Sequence, residues 1–270
     1  MQQLEWMTCK AHELRAHAND DAVVILPVAS IEQHGPHLPT MTDTLLAYET
    51  SVRAAKLVHQ RGGKVVVAPT VWSGLSEHHV AFGGTLTVDY QTFYLVLRGL
   101  VDSMTRQGFR RILINNGHGG NMDACKMATQ ELTLEFGIPL VTTTYPVPAM
   151  ADFKEVLEDQ DFVMHAGEGE TSMVMALRPE LVDDSDLAAC ANPFDGSLGE
   201  LRSSYRWQGF AAMTRNGVLG DPTRASAEKG EKLLDLCAER LAEMILDPDL
   251  WAPTADIRQD QTGGVPLKDD

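Results

Sequence analysis

Apolar residues fall in short unbroken runs along the first half of the chain, and each run is followed by a stretch with helical spacing or by a glycine-rich loop. "AVVILPV" (22–28) is continuous and rich in β-branched residues, which predicts a strand buried on both faces. Asp43 or Thr44 is placed to cap a helix running to about Gln60, where "RGG" stops it. "KVVVAPTVW" (64–72) repeats the strand pattern, and a loop rich in Gly and His follows through Gly84. Between Tyr90 and Arg106, Phe93, Val96, Leu97, Leu100, Val101 and Met104 recur at helical intervals. "RRILINN" (110–116) is a third strand, residues 122–136 a helix closed by Gly137, and "IPLVTTTYPV" (138–147) a fourth strand.

Strand and helix alternating with short connections predict an α/β fold, a mainly parallel sheet covered by helices on both faces, in a single domain. That domain is expected to span residues 1–247. It includes a loop entering a helix at "HAGEGETSMVMAL" (165–177) and a last helix over about 225–246. Residues 180–225 are irregular and Gly-rich, the pattern of a lid or binding loop over the chain's own site or a neighbour's. Residues 248–270 read as an extended C-terminal tail.

Composition narrows the function. With 38 acidic against 22 basic residues, the chain has a net charge of −16, which repels a phosphate backbone and offers no polybasic membrane patch. Neither nucleic acid nor a membrane is expected as a partner, and no apolar run approaches the ~20 residues needed to span a bilayer. Cys9, Cys125, Cys190 and Cys237 lie far apart with no CxxC pair, and the start of the chain is polar and broken by charge. A reduced, cytoplasmic setting is expected.

The candidate chemistry lies in loops after strands, where open parallel sheets put their functional groups. In "SIEQHGPHLPTMTD" (30–43), Glu32 and His34 are two apart, so both side chains of an extended segment project to one side, and Asp43 can close over the same point. Pro36 and Pro39 stiffen the connection. In "NNGHGGN" (115–121) the glycines let His118 point inward; the run lacks the lysine and spacing of a phosphate loop. In "HAGEGETS", His165, Glu168 and Glu170 stand at a helix start. Helix capping explains Glu168, whereas Glu170 sits where packing would hold it rigidly. Glu32, His34, Asp43, His118 and Glu170 form an oxygen and nitrogen set suited to zinc or manganese, less often to iron or cobalt. Five ligands exceed what one catalytic zinc takes, so two divalent ions are expected, bridged by Asp43 and ~3.5–4 Å apart.

In order along the chain, "LPVASIEQHGPHLPTMTD" (26–43), "HHVAFGGTLT" (78–87), "GFRRILINNGHGGN" (108–121), "HAGEGETSMVMAL" (165–177) and "GVLGDPTRASAEKG" (217–230) resemble the creatininase family of metal-dependent hydrolases. The resemblance implies a two-metal centre filled by zinc or manganese, a homohexamer, and hydrolysis of an amide-type C–N bond, often in a ring. It places Glu32, His34, Asp43, His118 and Glu170 at the metal-ligand positions and makes His165, with Glu170, catalytic; His165 would protonate the leaving group. His78 and Gly119 are assigned to the substrate pocket. Members acting on creatinine itself carry a tyrosine and an acidic ligand directly after the motif histidine, where this chain has Gly119 and Gly120, and this departure argues against creatinine. The expected substrate is a small, polar, cyclic amide. The alternatives are a C–C bond in a cyclic diketone such as a diketo-inositol, a formamide to be deformylated, or a non-catalytic metal-binding assembly role.

Overall fold

The first strand, β1 (Val23–Val28), is buried at every position, as its unbroken apolar run requires. The computed structural model, which describes residues 3–192, 205–258 and 263–265, begins earlier with a helix, α1 (Ala11–Asn19). β1 lies between β2 (Val65–Val67) and β3 (Arg111–Asn116), and β4 (Leu140–Thr144) adds to the far side of β3, so the order is β2-β1-β3-β4 with every pairing parallel. Val23 faces Val65 on one side and Arg111 on the other, and Asn116 faces Thr144. The carboxyl ends of β1, β3 and β4 therefore finish at one level.

Parallel neighbours need crossovers, supplied by α2 (Thr42–Gln60), α3 (Tyr90–Arg106) and α4 (Met122–Phe136). Alternation along β1 splits the core in two. Val24, Leu26 and Val28 pack with Phe93 and Leu97 of α3 and Ala128 and Leu132 of α4. Val23 and Ile25 pack with Val52 and Val58 of α2 and with Leu241 and Ile245 of the last helix, α7 (Ala227–Leu246). Helices thus cover both faces of a single-domain sheet, as the sequence predicts. Next to α7 lies α5 (Glu168–Leu177), joined through Met173, Leu233, Leu234 and Cys237. A single turn, α6 (Leu187–Cys190), follows.

The structure departs from the expected boundaries for identifiable reasons. β2 stops at Val67 because Pro69 has no N–H to give; Val71 returns to β1 only through an isolated bridge to Val28. Prolines at 139 and 146 trim β4 in the same way. α1 escapes the periodicity because only Leu14 and Ala18 among its apolar residues reach the core. Neither Asp43 nor Thr44 caps α2: Met41 holds the cap position with no side-chain bond, Asp43 turns inward, and the Thr44 hydroxyl donates to Ser30 O at 2.9 Å. Within the segment read as a tail, Pro248–Trp251 makes a 3-10 turn that buries Trp251, whose indole N–H donates to Ile245 O at 3.0 Å. Residues 193–204 of the irregular region lie outside the described residues. Among the described residues no helix is long and apolar enough to cross a membrane.

Candidate metal centre

All five residues proposed as ligands converge beyond the carboxyl ends of β1 and β3, and all are buried. Glu32 and His34 come from the loop after β1, Asp43 from the first turn of α2, His118 from the loop after β3 and Glu170 from the first turn of α5. Asn115 ties β3 to α2 by donating to Ser51 Oγ at 2.9 Å. Asn116 grips the next loop at both ends, donating to His118 O at 2.7 Å and accepting from His118 N at 3.1 Å. Asn121 accepts from Leu75 N at 2.9 Å and donates to Ala29 O at 3.1 Å, joining that loop to its two neighbours.

Asp43 stands at the middle. Its Oδ1 lies 3.1 Å from His34 Nε2, which is itself 3.5 Å from Glu170 Oε2. Its Oδ2 lies 3.1 Å from His118 Nδ1, which is 3.0 Å from Glu32 Oε2. Two groups, Glu32 with Asp43 and His118, and His34 with Asp43 and Glu170, thus offer ligand atoms close enough to share an ion, with Asp43 common to both.

Tautomers follow from the outer contacts of each ring. His34 Nδ1 sits 3.1 Å from Glu32 O, and His118 Nε2 sits 3.2 Å from Leu75 O. A carbonyl only accepts, so the outer nitrogen of each ring carries a proton, and with a metal bound the inner nitrogen would offer its lone pair, the arrangement that orients metal-binding histidines. Glu32 Oε1, His34 Nε2 and Asp43 Oδ2 are buried with no hydrogen-bond partner. Leaving buried polar atoms unpaired costs about 1–3 kcal/mol each, and more when charged, so three together call for a group that satisfies them at once. A divalent ion fits that donor set.

Electrostatics give the same picture. Burial opposes protonation of His34, yet the carboxylates of Asp43 and Glu170 hold its pKa up at about 10. His118 is buried too and is carried well above its ordinary value by Glu32 and Asp43. Burial also works against ionised Asp43, but His34 and His118 keep its carboxyl below the usual range. Burial raises Glu170 to about 7. Without metal, the cluster gathers protons where cations would otherwise stand.

Glu170 is held by Ala166 N–H, donating to Oε2 at 2.7 Å, and Ala166 adopts φ +53° to do so. Glu168 points elsewhere: it accepts from the N–H groups of Glu158 and Asp159 at 2.8 and 2.7 Å and pairs with Lys229 Nζ at 2.6 Å. Its role is structural.

A cavity of about 390 Å³ opens over Glu32, Asp43, His118 and Glu170. His78 and Gly119 line it, as does His165, together with the apolar Val147, Met150, Phe153 and Phe162. Phe210, from the irregular region of this same chain, packs 4.1 Å from the His79 ring and 4.9 Å from the His165 ring, centroid to centroid. A second cavity of about 850 Å³, bordered by Glu77, Asp89, Tyr205 and Trp207, meets the first at His78, Gly119, Gly120 and Phe210.

Residues 7–245 match the sequence family described as creatininase, creatinine amidohydrolase. The chain belongs to the creatininase family. Its relatives include the mycofactocin precursor peptide peptidase of Mycolicibacterium smegmatis, 35% identical over 81% of this chain and 84% of the relative. The 3-dehydro-scyllo-inosose hydrolase of Thermotoga maritima is 27% identical over 90% of this chain and 82% of its own. Among solved structures, two creatininases, a zinc-zinc form and a manganese form, are 25% and 26% identical, with TM-scores of 0.73 and 0.72. They cover 94% and 93% of this chain and the whole of each of theirs. The protein is a creatininase-family hydrolase with a cluster of Glu, Asp and His that could hold a metal ion.

The creatininase-type motifs mark the candidate ligands but not what surrounds them. Ser76, which the motifs did not single out, donates to Glu32 Oε2 at 2.7 Å and is joined to the Ser30 hydroxyl. Gly120, where creatinine-acting members carry an acid, leaves no room for one here. A Cβ would lie 2.4 Å from His118 Nε2 and 2.5 Å from Leu75 O. At Gly119 a Cβ would meet nothing within 4 Å.

Proposed function

We propose that this chain hydrolyses the C–N bond of an amide at a centre of two divalent ions, zinc or manganese. One ion is held by Glu32, Asp43 and His118, the other by His34, Asp43 and Glu170. The observation that carries the reading is the pair of ligand groups sharing Asp43, with unpartnered atoms in both. When bound, the ions supply Lewis acidity, which polarises a carbonyl and brings water to ionise near pH 7.

The chain's own residues do the rest. His165 lies with Nδ1 3.5 Å from Glu32 Oε1 and Nε2 2.8 Å from Gln33 O, and burial keeps it neutral, well below its ordinary pKa. A neutral ring with a lone pair on the centre's side takes up a proton and returns it to a leaving amine. Phe210 and Leu219 close the cavity beside it and exclude bulk water.

The apolar side chains of Val147, Met150, Phe153 and Phe162 in the lining favour an amide that carries an apolar group over the small polar ring expected from the sequence. The adjoining second cavity gives such a substrate room to extend, a shape that suits the end of a peptide. Cytoplasmic location and a homohexamer, both expected from the sequence, belong to the same proposal. The test is a panel of short peptides with apolar ends, lactams, formamides and ring diketones, assayed with metal-loaded protein. Peptide or amide cleavage that stops on chelation and returns with zinc or manganese supports the reading. Turnover of the diketones alone would replace C–N with C–C hydrolysis, and full turnover after chelation would end it.

A further inference from the structure

Gln33 lies between two of the ligands, yet its side chain turns away from them and is buried against His79. Its carboxamide oxygen accepts from Gly35 N–H at 2.9 Å, which fixes the orientation of the amide, so the NH₂ end faces His79 Nδ1 at 2.8 Å. An NH₂ group only donates. His79 Nδ1 therefore carries a lone pair, and the ring's proton is on Nε2, 3.2 Å from Glu32 Oε1 though out of hydrogen-bond line with it.

The main chain of the same residue acts on a second ring. Gln33 O meets His165 Nε2 at 2.8 Å, and because a carbonyl only accepts, His165 is protonated at Nε2 and keeps its lone pair on Nδ1. His165 Nε2 also lies 3.0 Å from the Gln33 NH₂, but its proton is committed to the carbonyl, and the second amide hydrogen has Gly217 O at 3.4 Å. The two rings stack with centroids 4.4 Å apart.

Two glycines clamp the amide. At Gly217, with φ +86°, a Cβ would stand 1.9 Å from Gln33 Oε1; at Gly35, with φ +65°, it would stand 2.4 Å from Val218 Cγ2. The glycine that opens "GVLGDP" thus serves the site without touching a ligand.

We infer that Gln33 is a positioning residue whose side chain sets the tautomer of His79 and whose backbone carbonyl sets that of His165. Glu32 accordingly faces an N–H from one ring and a lone pair from the other. The inference rests on the proposed reading only in naming the centre these rings face; the tautomers are properties of the folded chain.

The experiment is solid-state NMR of the full chain labelled with ¹⁵N-histidine, metal-free and zinc-loaded, with His79→Gln and His165→Gln for assignment. Wild-type protein is expected to show an unprotonated Nδ1 and protonated Nε2 on both rings. Gln33→Glu, which cannot donate when ionised, should move a proton onto His79 Nδ1 and leave His165 as it was. A merely structural disturbance would move both rings or neither. A protonated His79 Nδ1 in wild type overturns the inference without any variant, as does a Gln33→Glu protein whose His79 is unchanged. If the tautomers hold and no amide is cleaved, the amide-hydrolysis reading fails and this one stands.

Discussion

Asp43 Oδ2 and His118 Nδ1 approach to 3.1 Å, while the far nitrogen of the same ring lies 3.2 Å from Leu75 O. A buried carboxylate and imidazole this close need positive charge between them, a second ring proton in the metal-free protein or a bound ion in its place. The same holds for Asp43 Oδ1 and His34 Nε2. One carboxylate thus stands between two histidines, which makes it the side chain on which the proposed centre should depend most.

Asp43→Asn should therefore strip both ions while leaving the fold in place, because the side chain caps nothing in α2. Elemental analysis after dialysis is expected to fall from about two ions per chain to below one, with hydrolysis lost. A variant that keeps both ions would show that Asp43 does not bridge.

The metal-free protein should lose stability as pH rises above neutrality. His34 has a pKa of about 10 when folded, above its unfolded 6.5, so its proton contributes fully below about 6.5 and is lost as pH climbs toward 10. Glu170, raised to about 7, loses its contribution earlier, between about 4.5 and 7. His165 and His79 are depressed by burial and act oppositely, but only below about 6.5. Between pH 6.5 and 9 the melting temperature of metal-free protein should fall, with a slope no steeper than about 1.4 kcal/mol per pH unit for each proton. Zinc-loaded protein, whose His34 proton is displaced, should show no such fall. Parallel curves for the two forms would count against His34 as a ligand.

How far the sequence reached is best seen at the boundary of these loops. β1, β3 and the five candidate ligands that the structure brings together are legible because buried strands and residues of ligand type leave compositional marks. Ser76 and Gln33 are not, because hydroxyls and amides matter here through orientation, which no spacing encodes. Asp43 is not the helix cap its position suggests, but it does meet His34 and His118 as the long-range pattern predicts. The apolar wall at Met150 and Phe153 was hidden too, since it comes from a stretch of short turns with no period.

The glycines after His118 separate metal holding from substrate holding. Gly120→Ala drives a Cβ into His118 and Leu75 O, so metal affinity should drop at least tenfold. Gly119→Ala, which meets nothing, should keep both ions and change KM instead. Equal metal loss in both variants would contradict this division.

Glu168 and Glu170 should behave as unlike acids two residues apart. Lys229→Ala breaks the buried pair with Glu168 and should cost about 3 kcal/mol in urea unfolding, with kcat per folded molecule unchanged. Glu170→Gln should do the reverse, sparing stability in the loaded protein far more than activity. A kcat loss in Lys229→Ala would move Glu168 into the chemistry.

The most direct measurement is an anomalous difference map from crystals soaked in zinc, recorded on both sides of the zinc edge. Two peaks are expected, one against Glu32 and His118, the other against His34 and Glu170, both touching Asp43. A single peak, or peaks away from Asp43, would contradict the account.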